Sequence, residues 1–250
     1  MKKNIFKEFP DLLNCKITIL GIGYVGLPLA VEFAKNFKCK KTGDKITRKI
    51  IGFDINEERV NQLQNCYDKT LELDDEDKKH IKLITFTTNI KDIYDSDVFI
   101  VTVPTPIDAS KNPILEPLKS ATTTIANALL KKHQEDLDNE KSIIIYESTV
   151  FPGATEEICI PIIEKITNLK INYDFNYGYS PERINPGDKV NKLKKIKKIT
   201  SGNNESSKVW IDQLYSSIIE AGTFSVSSIK TAEAAKIIEN TQRDINIALI

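Results

Sequence analysis

Three glycines, an aspartate and a lysine–asparagine pair carry the chemistry legible in this sequence. Gly21, Gly23 and Gly26 stand as G-x-G-x-x-G. Between a strand and a helix that spacing suits a dinucleotide: Gly21 permits a tight turn, Gly23 lets a pyrophosphate approach the backbone, and Gly26 lets helix and strand pack closely. The helix N-terminus behind them offers N–H groups and the positive end of its dipole. Asp54 ends a later apolar run, where a carboxylate accepts hydrogen bonds from the adenosine ribose hydroxyls, repels a 2′-phosphate and so selects NAD over NADP. It lies further past Gly26 than the usual ~20 residues. The basic stretch 35–49 accounts for the excess as an insertion, expected to be a surface excursion. The alternative is that Asp54 caps a helix starting near Asn56. Far along the chain, Lys236 and Asn240 are one helical turn apart, a cation and an amide donor suited to negative charge developing on an oxygen. On periodicity alone, Glu233, Lys236, Asn240, Arg243 and Asp244 read as a solvated polar stripe.

These groups need a scaffold, and the hydrophobic pattern supplies one. Ile17, Ile19, Leu20 and Ile22 form a short apolar run, followed by Leu27, Ala30, Val31 and Ala34 at helical spacing. Strands are predicted at 50–54, 82–86, 97–103 and 142–146, with helices at 55–65, 118–132 and 154–166. That alternation argues for an α/β, Rossmann-like, doubly wound and mostly parallel sheet. Ligands of such sheets sit outside the carboxyl ends of the strands. There Pro104, Thr105 and Pro106 stop one strand, and Glu147, Ser148 and Thr149 follow another. Further strands are predicted at 177–180, 196–201 and 223–226, with a helix at 205–221. A last helix, 229–250, puts Ala234, Ile237, Ile238, Thr241, Ile245 and Ala248 on one side. It carries no stop signal, which suggests a chain cut inside an element.

Composition excludes several classes of function. Lys+Arg and Asp+Glu both total 35, so no global field recruits nucleic acid. No apolar run approaches the ~18 residues of a membrane span, and the first residues lack the apolar core of a secretory signal. Cys15, Cys39, Cys66 and Cys159 are scattered, with no C-x-x-C pair. No metal site is expected, and a reducing cytoplasm is. His80 and His133 are isolated.

Taken in order, GIGYVGLPLA (21–30), GFDINEERV (52–60), VTVPTP (101–106), ESTVFPG (147–153), YSPERINPGD (179–188), KKITSG (197–202) and AEAAKIIENTQRDINIAL (232–249) resemble the UDP-glucose/GDP-mannose dehydrogenase family. They are most similar to its UDP-N-acetylhexosamine 6-dehydrogenases of the Vi-antigen type. The resemblance implies oxidation of a sugar C6 alcohol to a carboxylate with two NAD, for surface polysaccharide precursors. It implies an NAD-binding domain over residues 1–228, the start of a central inter-domain helix at 229–250, and a homodimer built through that helix. The rest of the helix, the C-terminal sugar-nucleotide domain and the family's nucleophilic cysteine would lie beyond this chain. The sequence therefore reads as the N-terminal portion of such an enzyme, inactive alone.

The resemblance also implies roles. Gly21, Gly23, Tyr24, Val25 and Gly26 would meet the cofactor's pyrophosphate, Asp54 and Arg59 its adenosine ribose, and Pro104, Thr105, Ser148 and Thr149 its remaining length. Glu182, Arg183, Ile184, Lys236, Asn240 and Arg243 would contact the UDP-sugar. Of these, Lys236, Asn240 and Glu182 would serve the chemistry together with Thr149. The lysines at 189, 192, 194, 195, 197 and 198 read mostly as a solvated strand edge, the alternative being contact with the substrate's diphosphate. A β-hydroxyacid dehydrogenase would share the glycine turn and helix lysine but leave YSPERINPGD and VTVPTP unexplained. A non-catalytic NAD-binding or dimerisation module is the remaining alternative.

Overall fold

The computed structural model describes residues 9–35, 38–39, 42–135, 140–183 and 193–249. The expectations for Ile184, Lys189 and Lys192, and parts of the N-terminal arm and the 35–49 insertion, lie outside these residues.

Strands β1 (Lys16–Leu20), β2 (Lys49–Phe53), β3 (Ile84–Thr87), β4 (Val98–Val101), β5 (Ser142–Tyr146) and β6 (Phe175–Tyr179) pair in parallel. Strand β7 (Lys198–Gly202) runs antiparallel to β6, and β8 (Thr223–Ser225) parallel to β7. The eight strands lie in the order β3-β2-β1-β4-β5-β6-β7-β8. The doubly wound, mostly parallel sheet is thus as expected. Winding reverses between β1 and β4, where open α/β sheets leave a crevice.

The apolar runs of β1, β4 and β5 follow from burial on both faces. One face is covered by α1 (Gly26–Lys35) and α6 (Glu205–Ser216), through Phe33, Trp210, Leu214 and Tyr215. The other is covered by α4 (Glu116–Gln134), α5 (Ile160–Thr167) and the first turn of α7 (Ile229–Ala248). Shorter helices α2 (Glu57–Gln64) and α3 (Asp75–Lys78) flank the β2–β3 crossover. Among the described residues, no helix is long and apolar enough to cross a membrane, and no group of three His, Cys, Asp or Glu side chains could hold a metal ion.

Three expectations are corrected. The helix expected at 154–166 opens instead as a π-helical turn, Thr155–Cys159, before α5. Pro161 lacks the N–H that would bond the Glu157 carbonyl in a regular helix. The helix expected to reach 221 ends at Ser216, and Gly222 at φ +80° turns the chain into β8. Lys198 is not on a solvated edge but buried beneath the sheet's end. In the described part of the insertion, Thr42 to Lys45 are exposed as expected, whereas Ile46 is buried.

Candidate functional site

At the carboxyl ends of β1, β2, β4 and β5 opens a cavity of about 430 Å³. Its entrance is the turn from β1 into α1. Gly21 has φ +91°, and a Cβ on Gly26 would lie 2.0 Å from the Gly21 carbonyl oxygen and 2.5 Å from Thr102 Oγ1. Both glycines are required by the chain's own packing. Gly23 is different: a Cβ there would meet nothing within 4 Å and would project into open space. Nothing in the chain requires its glycine, so the requirement points to a ligand that approaches the backbone. A dinucleotide pyrophosphate fits that cradle, with α1 starting behind it.

Asp54 sits at the end of β2 and lines the cavity. One carboxylate oxygen accepts from Ile22 N at 2.8 Å, the other from Asn56 N at 3.0 Å. Asn56, not Asp54, caps α2. The carboxylate is therefore pinned across the glycine turn rather than spent on a helix end. Arg59 lies beneath this turn: its Nε donates to the Ile22 carbonyl oxygen at 2.8 Å, and its Nη2 lies 3.1 Å from Asp68 Oδ1. Burial pushes the Asp68 carboxyl up, but hydrogen bonds from Thr70 and the Arg59 guanidinium outweigh it and hold the carboxyl below its ordinary value. The Arg59 Nη1 is buried without a hydrogen-bond partner.

The far wall comes from three loops. Thr105 Oγ1 donates to the Thr149 carbonyl oxygen at 2.6 Å, and Ser148 Oγ to the Val103 carbonyl oxygen at 2.6 Å, tying the loops after β4 and β5 together. Pro104, Thr105, Ser148, Thr149 and Glu182 all line the cavity, with Gly21, Gly23, Tyr24 and Val25 opposite. Glu182 is held by Lys236, whose Nζ donates to its carbonyl oxygen at 2.6 Å and lies 3.4 Å from Oε2. Burial raises the Glu182 carboxyl above its ordinary value, against the opposing charges of Lys236 and Lys198. Its Oε1 is buried and unpartnered. An unsatisfied carboxyl oxygen beside a buried ammonium, at the rim of a cavity, is equipped to receive a hydroxyl or to exchange a proton.

The remaining expected positions extend along α7. Asn240 is half-buried one turn beyond Lys236, and the exposed Arg243 lies 3.3 Å from Glu239 Oε1. Arg183 lies 2.8 Å from Glu239 Oε2.

Two buried features escape sequence reasoning. Glu233, fully buried on α7, accepts from Gly153 N at 2.5 Å and Thr155 N at 3.0 Å, anchoring the segment after Thr149 to the helix that carries Lys236. Its i, i+3 spacing to Lys236 is the only signal. Glu147 and Lys198 form a 2.7 Å ion pair behind the cavity, and a lysine inside a lysine-rich run gives no hint of burial.

Residues 15–219 match the family model described as "UDP-glucose/GDP-mannose dehydrogenase family, NAD binding domain". The chain is 51% identical over 237 residues to the UDP-N-acetyl-D-glucosamine 6-dehydrogenase of Pseudomonas aeruginosa, covering 95% of this chain and 51% of that protein. It is 48% identical over 235 residues to the enzyme of the same name from Salmonella typhi, covering 94% and 51%. Among solved structures, a UDP-D-ManNAc dehydrogenase from Pyrococcus horikoshii superposes with TM-score 0.77 at 29% identity, over 94% of this chain and 52% of that one. A GDP-mannose dehydrogenase from Pseudomonas aeruginosa, at 20% identity, shares the fold with TM-score 0.79, over 93% and 51%. The chain spans about half the length of the curated relatives it matches.

Proposed function

Because the chain belongs to the UDP-glucose/GDP-mannose dehydrogenase family and carries its NAD-binding domain, we propose that it is the cofactor-binding part of a UDP-N-acetylhexosamine 6-dehydrogenase. The observation that carries this reading is the single cavity joining the glycine turn, Asp54, the Thr105 and Thr149 loops and Glu182, with Lys236 behind it. The two UDP-N-acetyl-D-glucosamine 6-dehydrogenases support the substrate class. Bound NAD would accept hydride from the sugar C6 carbon, giving the uronic acid after two oxidations.

The chain's own residues divide that task. Asp54 orients the adenosine ribose, and the start of α1 balances the pyrophosphate charge. Thr105, Ser148 and Thr149 fix the far end. Lys236 and Asn240 stabilise negative charge on the sugar oxygen, and Glu182 holds or passes a proton there. Arg183, Ile184 and Arg243 complete the sugar-nucleotide contacts. We assign residues 1–228 to the NAD-binding domain and 229–250 to the start of the inter-domain helix, the surface for homodimerisation. A cytoplasmic location suits an enzyme drawing on free NAD and a nucleotide sugar.

Titration calorimetry with NAD and NADP tests the assignment. NAD should bind and NADP should bind much more weakly, since its 2′-phosphate would face Asp54 at a repulsion of a few kcal/mol in a partly desolvated site (an estimate of about that size). Equal affinities, or tighter NADP, would remove Asp54 from the role.

A further inference from the structure

Behind the cavity lies a buried charge pair to which the reading above gives no task. The Lys198 ammonium on β7 lies 2.7 Å from Glu147 Oε2 and donates to the Pro181 carbonyl oxygen at 3.1 Å. The Tyr215 phenol, from α6, donates to Glu147 Oε1. Its ring also faces the ammonium, 5.2 Å from the ring centre. All three residues are buried. Burial and the neighbouring carboxylate push the Tyr215 phenol well above its ordinary value, so the hydroxyl remains a donor.

Stability alone is a weak reason for such an arrangement, because desolvating two charges offsets most of their attraction and apolar side chains could fill the same space. Its position gives a better one. Glu147 leads directly into Ser148 and Thr149, and Pro181 into Glu182; these segments are far apart in sequence and both form the cavity wall. Lys198 touches both.

We propose that Glu147, Lys198 and Tyr215 are positioning residues that lock the Ser148–Thr149 loop against Glu182, preforming the end of the cavity remote from Asp54 for the nicotinamide half of NAD. The inference rests on the reading of this cavity as an NAD site. A preformed seat lowers the ordering cost of binding, and it does so only for ligands that reach it. ADP-ribose, which lacks nicotinamide, reports the Asp54 end; NADH reports both ends.

The test compares both ligands by calorimetry, with NADH fluorescence as a second readout. The variants are Glu147→Gln combined with Lys198→Met, which leaves no lone buried charge, and Tyr215→Phe, which removes one hydroxyl. The double variant should weaken NADH about tenfold, the scale of one lost buried hydrogen bond, while ADP-ribose changes by less than about twofold. The fluorescence enhancement of bound NADH should fall with it, and Tyr215→Phe should shift the NADH to ADP-ribose ratio in the same direction. An unchanged ratio, or parallel weakening of both ligands, would overturn the proposal. Should the double variant not fold, the Tyr215→Phe ratio decides. Wild-type chain that binds neither ligand would instead overturn the NAD reading, and this inference with it.

Discussion

Two glycines three residues apart are kept for different reasons, and a methyl group separates them. At Gly26 an added Cβ collides with the Gly21 carbonyl, whereas at Gly23 it enters the cavity. Gly26→Ala should therefore cost about 1–3 kcal/mol in urea unfolding, the range for overpacking. Gly23→Ala should change stability by no more than about 1 kcal/mol yet abolish NAD binding in calorimetry. The cysteines give a second prediction. Burial pushes the Cys15 thiol up to about 12 and the Cys159 thiol up to about 11. Thiolate is the reactive form, so both should resist iodoacetamide near neutral pH and react only as pH rises toward those values or the chain unfolds. Exposed Cys66 should label first by mass spectrometry; Cys159 labelling as fast in the folded chain would contradict the packing around it. At this scale the sequence was readable wherever chemistry needs a fixed spacing, as in the glycine turn. Glu147 and Lys198 were not readable, because 51 residues separate partners that only the sheet brings together.

At the scale of elements, α7 inverts the rule by which amphipathic helices are read. Its polar stripe, expected to be solvated, supplies the buried Glu233 and Lys236, while Ile238 and Ile245 on the apolar side are 65% and 55% exposed. Periodicity located the helix and its two faces correctly but could not say which face the domain takes, since Glu233 and Lys236 are satisfied by backbone groups contributed from other loops. The same limit explains the π-helical turn before α5, which depends on Glu233 accepting from Gly153 and Thr155. The alternating strands and helices up to α5 were legible because both-face burial writes a simple apolar run. An exposed isoleucine row on a helix is a self-association surface. Light scattering should show the chain dimerising with concentration, and Ile238→Asp with Ile245→Asp should shift it to monomer without lowering its thermal midpoint. A monomer at high concentration before any substitution would remove α7 from that role.

For the whole molecule, the question is what the chain can complete by itself. It spans about half of its curated relatives, and the described cavity combines a full glycine turn with only one wall from a substrate loop. Oxidising an alcohol to an acid removes two hydrides, and the second step of the proposed reaction calls for the aldehyde to be held covalently by an activated thiolate. None of the four cysteines lines the cavity. Cys15 lies before β1, at the end of the sheet away from the ligand, and Cys159 is packed with Thr122 and Tyr146 beneath α4. Lys236 is present but buried against Glu182, and with a bound water it could assist only the first transfer. The 250-residue chain mixed with NAD and UDP-N-acetylglucosamine should therefore bind NAD yet give no sustained rise in NADH absorbance and no uronic acid. Sustained turnover at two NADH per sugar, abolished by Lys236→Ala, would show that the chain holds a complete active site and that a nucleophile has been misplaced. A single NADH per sugar with aldehyde released would instead place the first transfer within this chain and confine the missing function to the thiolate.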